Sequence, residues 1–437
     1  MENLYLKIKN KLKDFDLYIQ DIETETVEFE NNKLKSITRK NEKGYGLRIV
    51  KDNKIGFSSS NNFGDVDTVI ENAVSLSALG EKCYFKFPDK KFETEELNIF
   101  SSKIAELKSQ EMIDIGTQLL DSLISLDKTS KVSVIVEKSI IKNSLFNSNE
   151  LALEEKKTRF SIIGTIFKAE ENNFIEIWES ETFRAGDEIE KLIKSIYQRI
   201  EFLYNNVKKI ARIEPGYYPV YFTPKAFSTI LNMILKSFDG TLVYKNISFF
   251  ANKKNQEIFK KPVTIFDNPL KKGYPYSRNF DGEGLKPEPV YLIEKGAIKN
   301  YLLDLQSAGR LNTIPNGHSL RSYSSLPSPG YTNIQFIIGD KNIVDTKTNI
   351  IKHINKGVLI DHFLGAGQSN ILAGEFSMNI DLGYLIENGE ITGRIKDCMV
   401  AGNMFELLND IEKIDDTVLY YAGIETPGVL VHSLPVR

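Results

Sequence analysis

Hydrophobic and polar residues alternate in short runs over residues 17–60, in LYIQ, TVEFE, LKSITRK, GYGLRIV and KIGFSSS. A period of two marks half-buried strands, and Asn31-Asn32 and Lys51-Asp52-Asn53-Lys54 carry the residues that turns between strands require. Ahead of them, MENLYLKIKNKLKDFD reads as a charged amphipathic helix. From Asp65, suited to an N-cap, the period lengthens to the helical spacing of Val66, Val69, Ile70, Ala73 and Val74, and Gly80 follows as a stop. Residues 1–85 therefore form a small α+β unit. Residues 86–103 are rich in charge, hold no sustained period and read as a linker.

The helical period returns over about 102–126, with Ile104, Leu107, Met112, Ile115, Leu119, Leu120 and Leu123 as its apolar stripe. Strands VSVIVEKSIIKNS, LALEEKKTRFSIIGTIFKAE and NFIEIWESE follow, then a helix over about 187–207, which makes residues 104–213 a second α+β unit. The third unit, residues 214–437, opens with a strand in PVYFTP and a helix running to about 238, with Thr223 as N-cap, Pro224 in the first turn and Asp239-Gly240 as the stop. Beyond it the pattern is strands and turns, interrupted by one helix over 405–411. LIEKGAIKNYL (292–302) and LIENGEITGRI (385–395) are hairpins of one design, each turning through a glycine. The expected fold is α+β: two small units followed by a larger, mostly antiparallel β unit whose sheet is curled or partly closed.

Charge and composition remove several classes of function. The 56 basic and 59 acidic residues leave a net charge of −3, which provides no field for a nucleic-acid backbone. No apolar run is long enough to span a bilayer, and the first residues lack the apolar core of a signal peptide, so the expected location is cytoplasmic, with no nucleic acid and no membrane as partner. Cys83 and Cys398 form neither a disulfide framework nor a Cys-x-x-Cys site. The four histidines, His318, His353, His362 and His432, include no pair four or five apart, so no helix presents two imidazoles to zinc. His353 and His362 flank a Lys-Gly turn and are able to approach on adjacent strands. With loop carboxylates they make one candidate metal site, against the plainer reading of histidines on a sheet. There is no Gly-x-Ser-x-Gly elbow and no P-loop, and Gly365-Ala366-Gly367 is too short for a dinucleotide fingerprint.

Several motifs occur in a fixed order: Gly44-x-Gly46-x-Arg48, Gly56-Phe57, Asn143-Ser144, Asp267-x-Pro269, Asp281-Gly282-Glu283-Gly284, Tyr331-Thr332-Asn333, Gly374-Glu375-Phe376-Ser377, Ile-Glu-Asn-Gly-Glu-Ile at 386–391, and Ala401-Gly402-Asn403. In these the chain resembles the TldD/PmbA proteins, called modulators of DNA gyrase and classed with metallopeptidases. Two departures stand out: Glu375 where many members have Asp, and Gly393-Arg394 where a Pro-Val pair is frequent. The resemblance implies that active TldD-type subunits carry His-Glu-x-x-x-His on the helix opening the third unit and a cysteine ligand near the C-terminus. The aligned positions here are Asn232, Met233 and Ser237, and IETPGVLVHSLPVR holds no cysteine.

The chain therefore resembles the PmbA (TldE) branch, with no catalytic or metal residue and no cofactor of its own. Zinc is expected only in a TldD-type partner, in a heterodimer that processes unfolded peptide. A homodimer in isolation, or a peptide-binding scaffold without any protease, is the alternative. Asp281, Glu283 and Gly284 either line a peptide chamber or cap loop N–H groups. Asn370, Gly374, Glu375, Phe376 and Ser377 either receive a peptide as an added strand or form a bulge.

Overall fold

The computed structural model describes residues 2–89, 92–170, 173–207, 209–365 and 369–437. Ala366 and Gly367 of the short glycine motif lie outside these residues. Helix α1 (Glu2–Lys9) precedes two long strands, β1 (Phe15–Glu30) and β2 (Lys33–Lys51), joined by Asn31 and Asn32, both at positive φ. The short runs of the alternation pattern merge here, because the polar residues between them pair with one another, Glu23 with Asn41 and Thr24 with Lys40, in an exposed ribbon. A second asparagine turn leads to β3 (Lys54–Ser60), and α2 (Val66–Ser77) covers β2 and β3.

The helix expected over 102–126 is two helices, α3 (Ser102–Ala105) and α4 (Ser109–Leu126). Lys108 between them is extended, the Glu111 carboxylate accepts its N–H at 2.7 Å, and Leu107 turns into the core, so α4 starts afresh. Strands β4 (Lys131–Asn147), β5 (Ala152–Glu170) and β6 (Asn173–Thr182) follow, then α5 (Ile189–Asn205). β4 pairs with β1 along almost its whole length, which joins the first two units in one antiparallel sheet of order β3-β2-β1-β4-β5-β6.

In the third unit β7 (Gly216–Phe222) leads into α6 (Pro224–Lys236), where the Thr223 hydroxyl accepts the Ala226 N–H at 3.3 Å. Next come α7 (Gly240–Tyr244), β8 (Val263–Asp267), and the hairpin β9 (Val290–Glu294) and β10 (Ala297–Ile298). They are followed by α8 (Leu305–Arg310), β11 (Ser319–Leu320), β12 (Ser328–Pro329), β13 (Ile334–Ile338), β14 (Val344–Asp345) and α9 (Lys347–Lys352). β15 (Lys356–Leu364), β16 (Glu375–Glu387), β17 (Glu390–Arg394), β18 (Met399–Asn403), α10 (Met404–Asn409), β19 (Ile411–Tyr421) and β20 (Ile424–Val436) complete the order. α10 stands near the helix expected over 405–411. α7, α8 and α9 interrupt stretches read as strands and turns, because five or six residues are too few to display a helical period.

β20, β18, β16, β15 and β7 are successive neighbours, and β7 pairs again with β20, so five strands close into a barrel. Closure leaves these strands no free edge. α6 packs on β15, β19 and β20 through a core that includes Phe227, Ile230, Leu231 and Ile234.

Two buried charge networks fasten the six-stranded sheet to the third unit. In the first, Arg48 on β2 faces its cross-strand partner Asp16, donating through Nε at 3.1 Å, and reaches Glu283 Oε1 at 2.6 Å. Arg321 donates to the other Asp16 oxygen at 2.8 Å, and Glu283 Oε2 accepts the Leu305 N–H that opens α8 at 2.6 Å. Phe85 and Phe87, from the irregular segment between α2 and α3, lie over the Arg48 guanidinium. Burial raises the Glu283 carboxyl above its usual value while Arg48 pulls against it.

In the second network the Lys225 ammonium, in the first turn of α6, lies 2.6 Å from Asp361 on β15 and 3.2 Å from Glu179 on β6, and donates to the Trp178 carbonyl at 2.7 Å. It also stands over the Trp178 ring. Burial opposes its charge, but Asp361 and Glu179 outweigh burial and hold its pKa above the usual lysine value.

Removing one member of such a network leaves uncompensated charge in the interior. Arg48→Met is expected to cost roughly 3–5 kcal/mol in denaturant unfolding. The double variant Arg48→Met/Glu283→Leu is expected to lose clearly less than the sum of the two single losses. Strict additivity would show that Arg48 and Glu283 are not energetically coupled.

Candidate functional site

A cleft of about 680 Å³ opens where the sheet meets the third unit. Its floor is sheet: Tyr18, Gln20 and Ile22 from β1, Ile141 and Asn143 from β4, and Glu155, Lys157 and Arg159 from β5. The facing wall is α6 with Asn232, Leu235 and Lys236, then Asp239, the segment carrying Tyr276, Arg278, Phe280, Asp281 and Gly282, and the loop around β11 and β12. Tyr331 and Thr332 close one side.

Backbone geometry explains why these segments meet. A Cβ at Gly46 would lie 2.2 Å from the Tyr323 carbonyl oxygen, so a glycine there lets the loop between β11 and β12 rest on β2. The buried Asp281 carboxylate accepts the N–H groups of Glu283 and Leu285, both at 2.9 Å, and of Ser319 at 3.2 Å. Asp281 is thus a loop organiser with its surface at the cleft. Glu283 lies behind it, fully enclosed with Arg48, and Gly284 sits against Leu145 and Leu151.

Asp267 plays the matching part on the other side. It accepts from Thr332 N at 2.9 Å, Thr332 Oγ1 at 2.5 Å and Asn333 N at 2.8 Å, with His318 Nε2 at 3.4 Å. Burial works to raise this carboxyl, yet His318 and the Thr332 donors together hold it below its usual value. Asn143, whose amide oxygen accepts from Gln20 at 3.1 Å, also faces the cleft.

The three helix positions aligned to a zinc motif part company in space. Asn232 is exposed to the cleft and accepts the Tyr331 hydroxyl at 3.0 Å, whereas Met233 and Ser237 are buried. An amide oxygen engaged by a tyrosine, a thioether packed in the core and an enclosed hydroxyl do not fit a zinc ion or a general base. His353 and His362 do not meet on adjacent strands either. His353 caps the C-terminal end of α9, and His362 on β15 lies 3.0 Å from Asp381 and edge-on to Trp178. His318 is buried beside Asp267, and His432 is exposed on β20. Among the described residues no three His, Cys, Asp or Glu are arranged to hold a metal ion.

The second set of sequence candidates stands apart from the cleft. Asn370 caps a short 3-10 turn ending at Gly374, which has φ +81°. A Cβ at Gly374 would meet the Phe405 ring at 2.4 Å, so packing inside the unit already accounts for this glycine. Glu375, Phe376 and Ser377 pair with Asn403, Gly402 and Ala401 within the barrel.

Sequence reasoning passed over Glu155, Lys157, Arg159, Arg278 and Arg321. Around β5 the sequence LEEKKTR is charged on both faces, so alternation gives no hint that Glu155, Lys157 and Arg159 share the inner one.

Comparison with known proteins places this architecture. Residues 215–437 match the model of the PmbA/TldA metallopeptidase C-terminal domain, and residues 15–77 match that of PmbA/TldA metallopeptidase domain 1. The chain belongs to the TldD/PmbA family. Similarity to individual members extends over nearly the full chain. A protein of Methanocaldococcus jannaschii is 28% identical over 85% of each chain. A metalloprotease PmbA homologue of Buchnera aphidicola is 23% identical over 100% of this chain and 97% of its own. The crystal structure of TldE from Thermococcus kodakarensis superposes with a TM-score of 0.87 at 20% identity, over 100% of this chain and 99% of that one. A Thermotoga maritima structure described as a modulator of DNA gyrase gives a TM-score of 0.86 at 22% identity, with the same coverage. These two structures share the TldD/PmbA fold seen here.

Asp267→Asn tests the cleft wall. A depressed carboxyl contributes stability that is full above its ordinary value near ~4 and is lost as pH falls through the lowered one. The variant is expected to be less stable by about 2–4 kcal/mol at neutral pH. Its stability should also fall less steeply on acidification, read from denaturant midpoints across the acid range. An unchanged acid slope would show that Asp267 is not held as an anion.

Proposed function

We propose that this chain is the non-catalytic, PmbA/TldE-type subunit of a TldD-type zinc metallopeptidase. In that assembly the partner supplies zinc, the general base and hydrolysis, and this chain supplies a wall that holds unfolded peptide. The observation that carries the reading is helix α6: of the three positions aligned with the zinc motif, Asn232 reaches the cleft and accepts the Tyr331 hydroxyl while Met233 and Ser237 are buried, and the other α6 residues at the cleft are Leu235 and Lys236. The strand β20 adds no cysteine thiolate, since its sequence IETPGVLVHSLPV contains none. Zinc would then reside on the partner alone.

The cleft suits a peptide main chain. Its walls mix hydroxyl and amide groups with apolar patches such as Ile22, Ile141, Leu235 and Phe280, and its volume lies within the ~300–1,000 Å³ span of ordinary ligand sites. Recognition through backbone groups tolerates many side chains, as processing of unfolded chains requires. Among the described residues no helix is long and apolar enough to cross a membrane, in keeping with a cytoplasmic place of action.

The test is metal content and peptidase activity on an unstructured peptide, for the chain alone and mixed with the TldD-type subunit of the same source. Activity only in the mixture, with zinc on the other subunit, is the expected result. Stoichiometric zinc or turnover by the pure chain would overturn it. Peptide binding by a homodimer that never associates with the second subunit would favour the scaffold reading.

A further inference from the structure

The cleft holds more cationic side chains than its own carboxylates satisfy. Arg278 is only 7% exposed and donates through Nη1 to the Ser319 carbonyl at 2.7 Å, while its Nε and Nη2 have no partner among the described residues. Arg159, across the cleft on β5, packs its guanidinium on the Tyr276 ring at 4.6 Å and likewise leaves Nε without a partner. Neither guanidinium is ion-paired among the described residues. Lys157, close to both, lies 3.4 Å from Glu155, itself engaged by the Asn279 N–H at 2.6 Å.

Asp281, Asp267 and Glu155 lie near Arg278 without contacting it, burial outweighs their pull on its charge, and Arg cannot shed its proton to relieve the cost. Unpartnered guanidinium donors on side chains that line an accessible cleft mark a place where an anion completes the site. We propose that Arg278 and Arg159 form an anion subsite that binds a carboxylate of the extended peptide, either its C-terminal group or an acidic side chain. This deepens the peptide-binding reading and rests on it. A single negative charge is the better match than a phosphate dianion, because Glu155, Asp239 and Asp281 share the same walls. With Nη1 committed to the Ser319 carbonyl, the planar Nε and Nη2 edge of Arg278 suits a planar carboxylate.

The experiment uses one short unstructured peptide in three forms: a free C-terminus with no acidic side chain, an amidated C-terminus with one Glu, and an amidated C-terminus with Gln in its place. Equilibrium binding is measured by fluorescence anisotropy on the full chain and on its complex with the TldD-type subunit. At least one carboxylate-bearing form should bind about tenfold or more tighter than the carboxylate-free form, and which one does so identifies the source. Arg278→Gln and Arg159→Gln should each reduce that preference, and Arg278→Lys should restore part of it. Arg159 is partly exposed, so its variant keeps the test sound if Arg278 variants fold poorly by thermal melting.

Equal affinity for all three forms, or a preference that survives both Gln variants, would overturn the subsite and leave the peptide reading intact. Failure of every form to bind, to the chain and to the complex, would overturn both.

Discussion

The junction between the six-stranded sheet and the loops at one end of the cleft depends on one buried cation, Arg48. Its guanidinium stays charged in the interior, so Asp16 and Glu283 must both reach it. One lies beside it in the same sheet and the other comes from far along the chain. A packed apolar cluster would bring comparable or greater stability. Five donors in a fixed plane add direction: they accept one relative position of sheet and loop and reject neighbouring ones. Glu283 passes that constraint on through the Leu305 N–H to α8, and Asp16 passes it to Arg321 at the cleft.

Within that frame the cleft is a composite surface. Neither the sheet nor the third unit contains it alone, and its charged groups come from both sides. Lys225 and its carboxylates set the other end of α6, so the helix meets the cleft with Asn232 forward and Met233 turned into the core. The orientation of α6 decides which side chains have chemical access, and the residues with access are an amide, a leucine and a lysine.

Much of the fold was legible in the sequence where a local rule sufficed. The asparagine turns, the Thr223 cap, the hairpins through Gly296 and Gly389 and the antiparallel character of the third unit all follow from nearest-neighbour chemistry. What depends on distant pairing was not legible. The union of the first two units through β1 and β4, and the return of β20 to β7 that closes the barrel, have no signal in either strand alone. The site was legible in part for the same reason. Glycine-bearing motifs marked where backbones touch, so Gly46, Arg48, Asp281 and Glu283 stood out, and the structure brings them to one junction. Arg159 and Arg278 did not stand out, because a charged residue within a charged stretch looks solvated until the opposite wall is known.

The chain contains a single tryptophan, and it occupies an informative position. The Trp178 ring lies between the Lys225 ammonium and the His362 imidazole, at the seam where β6 meets α6 and β15. Its ultraviolet emission is therefore a native optical probe of that seam alone, with no second indole to dilute it. Loosening between the sheet and the barrel, whether by peptide, partner or solvent, registers there without a label.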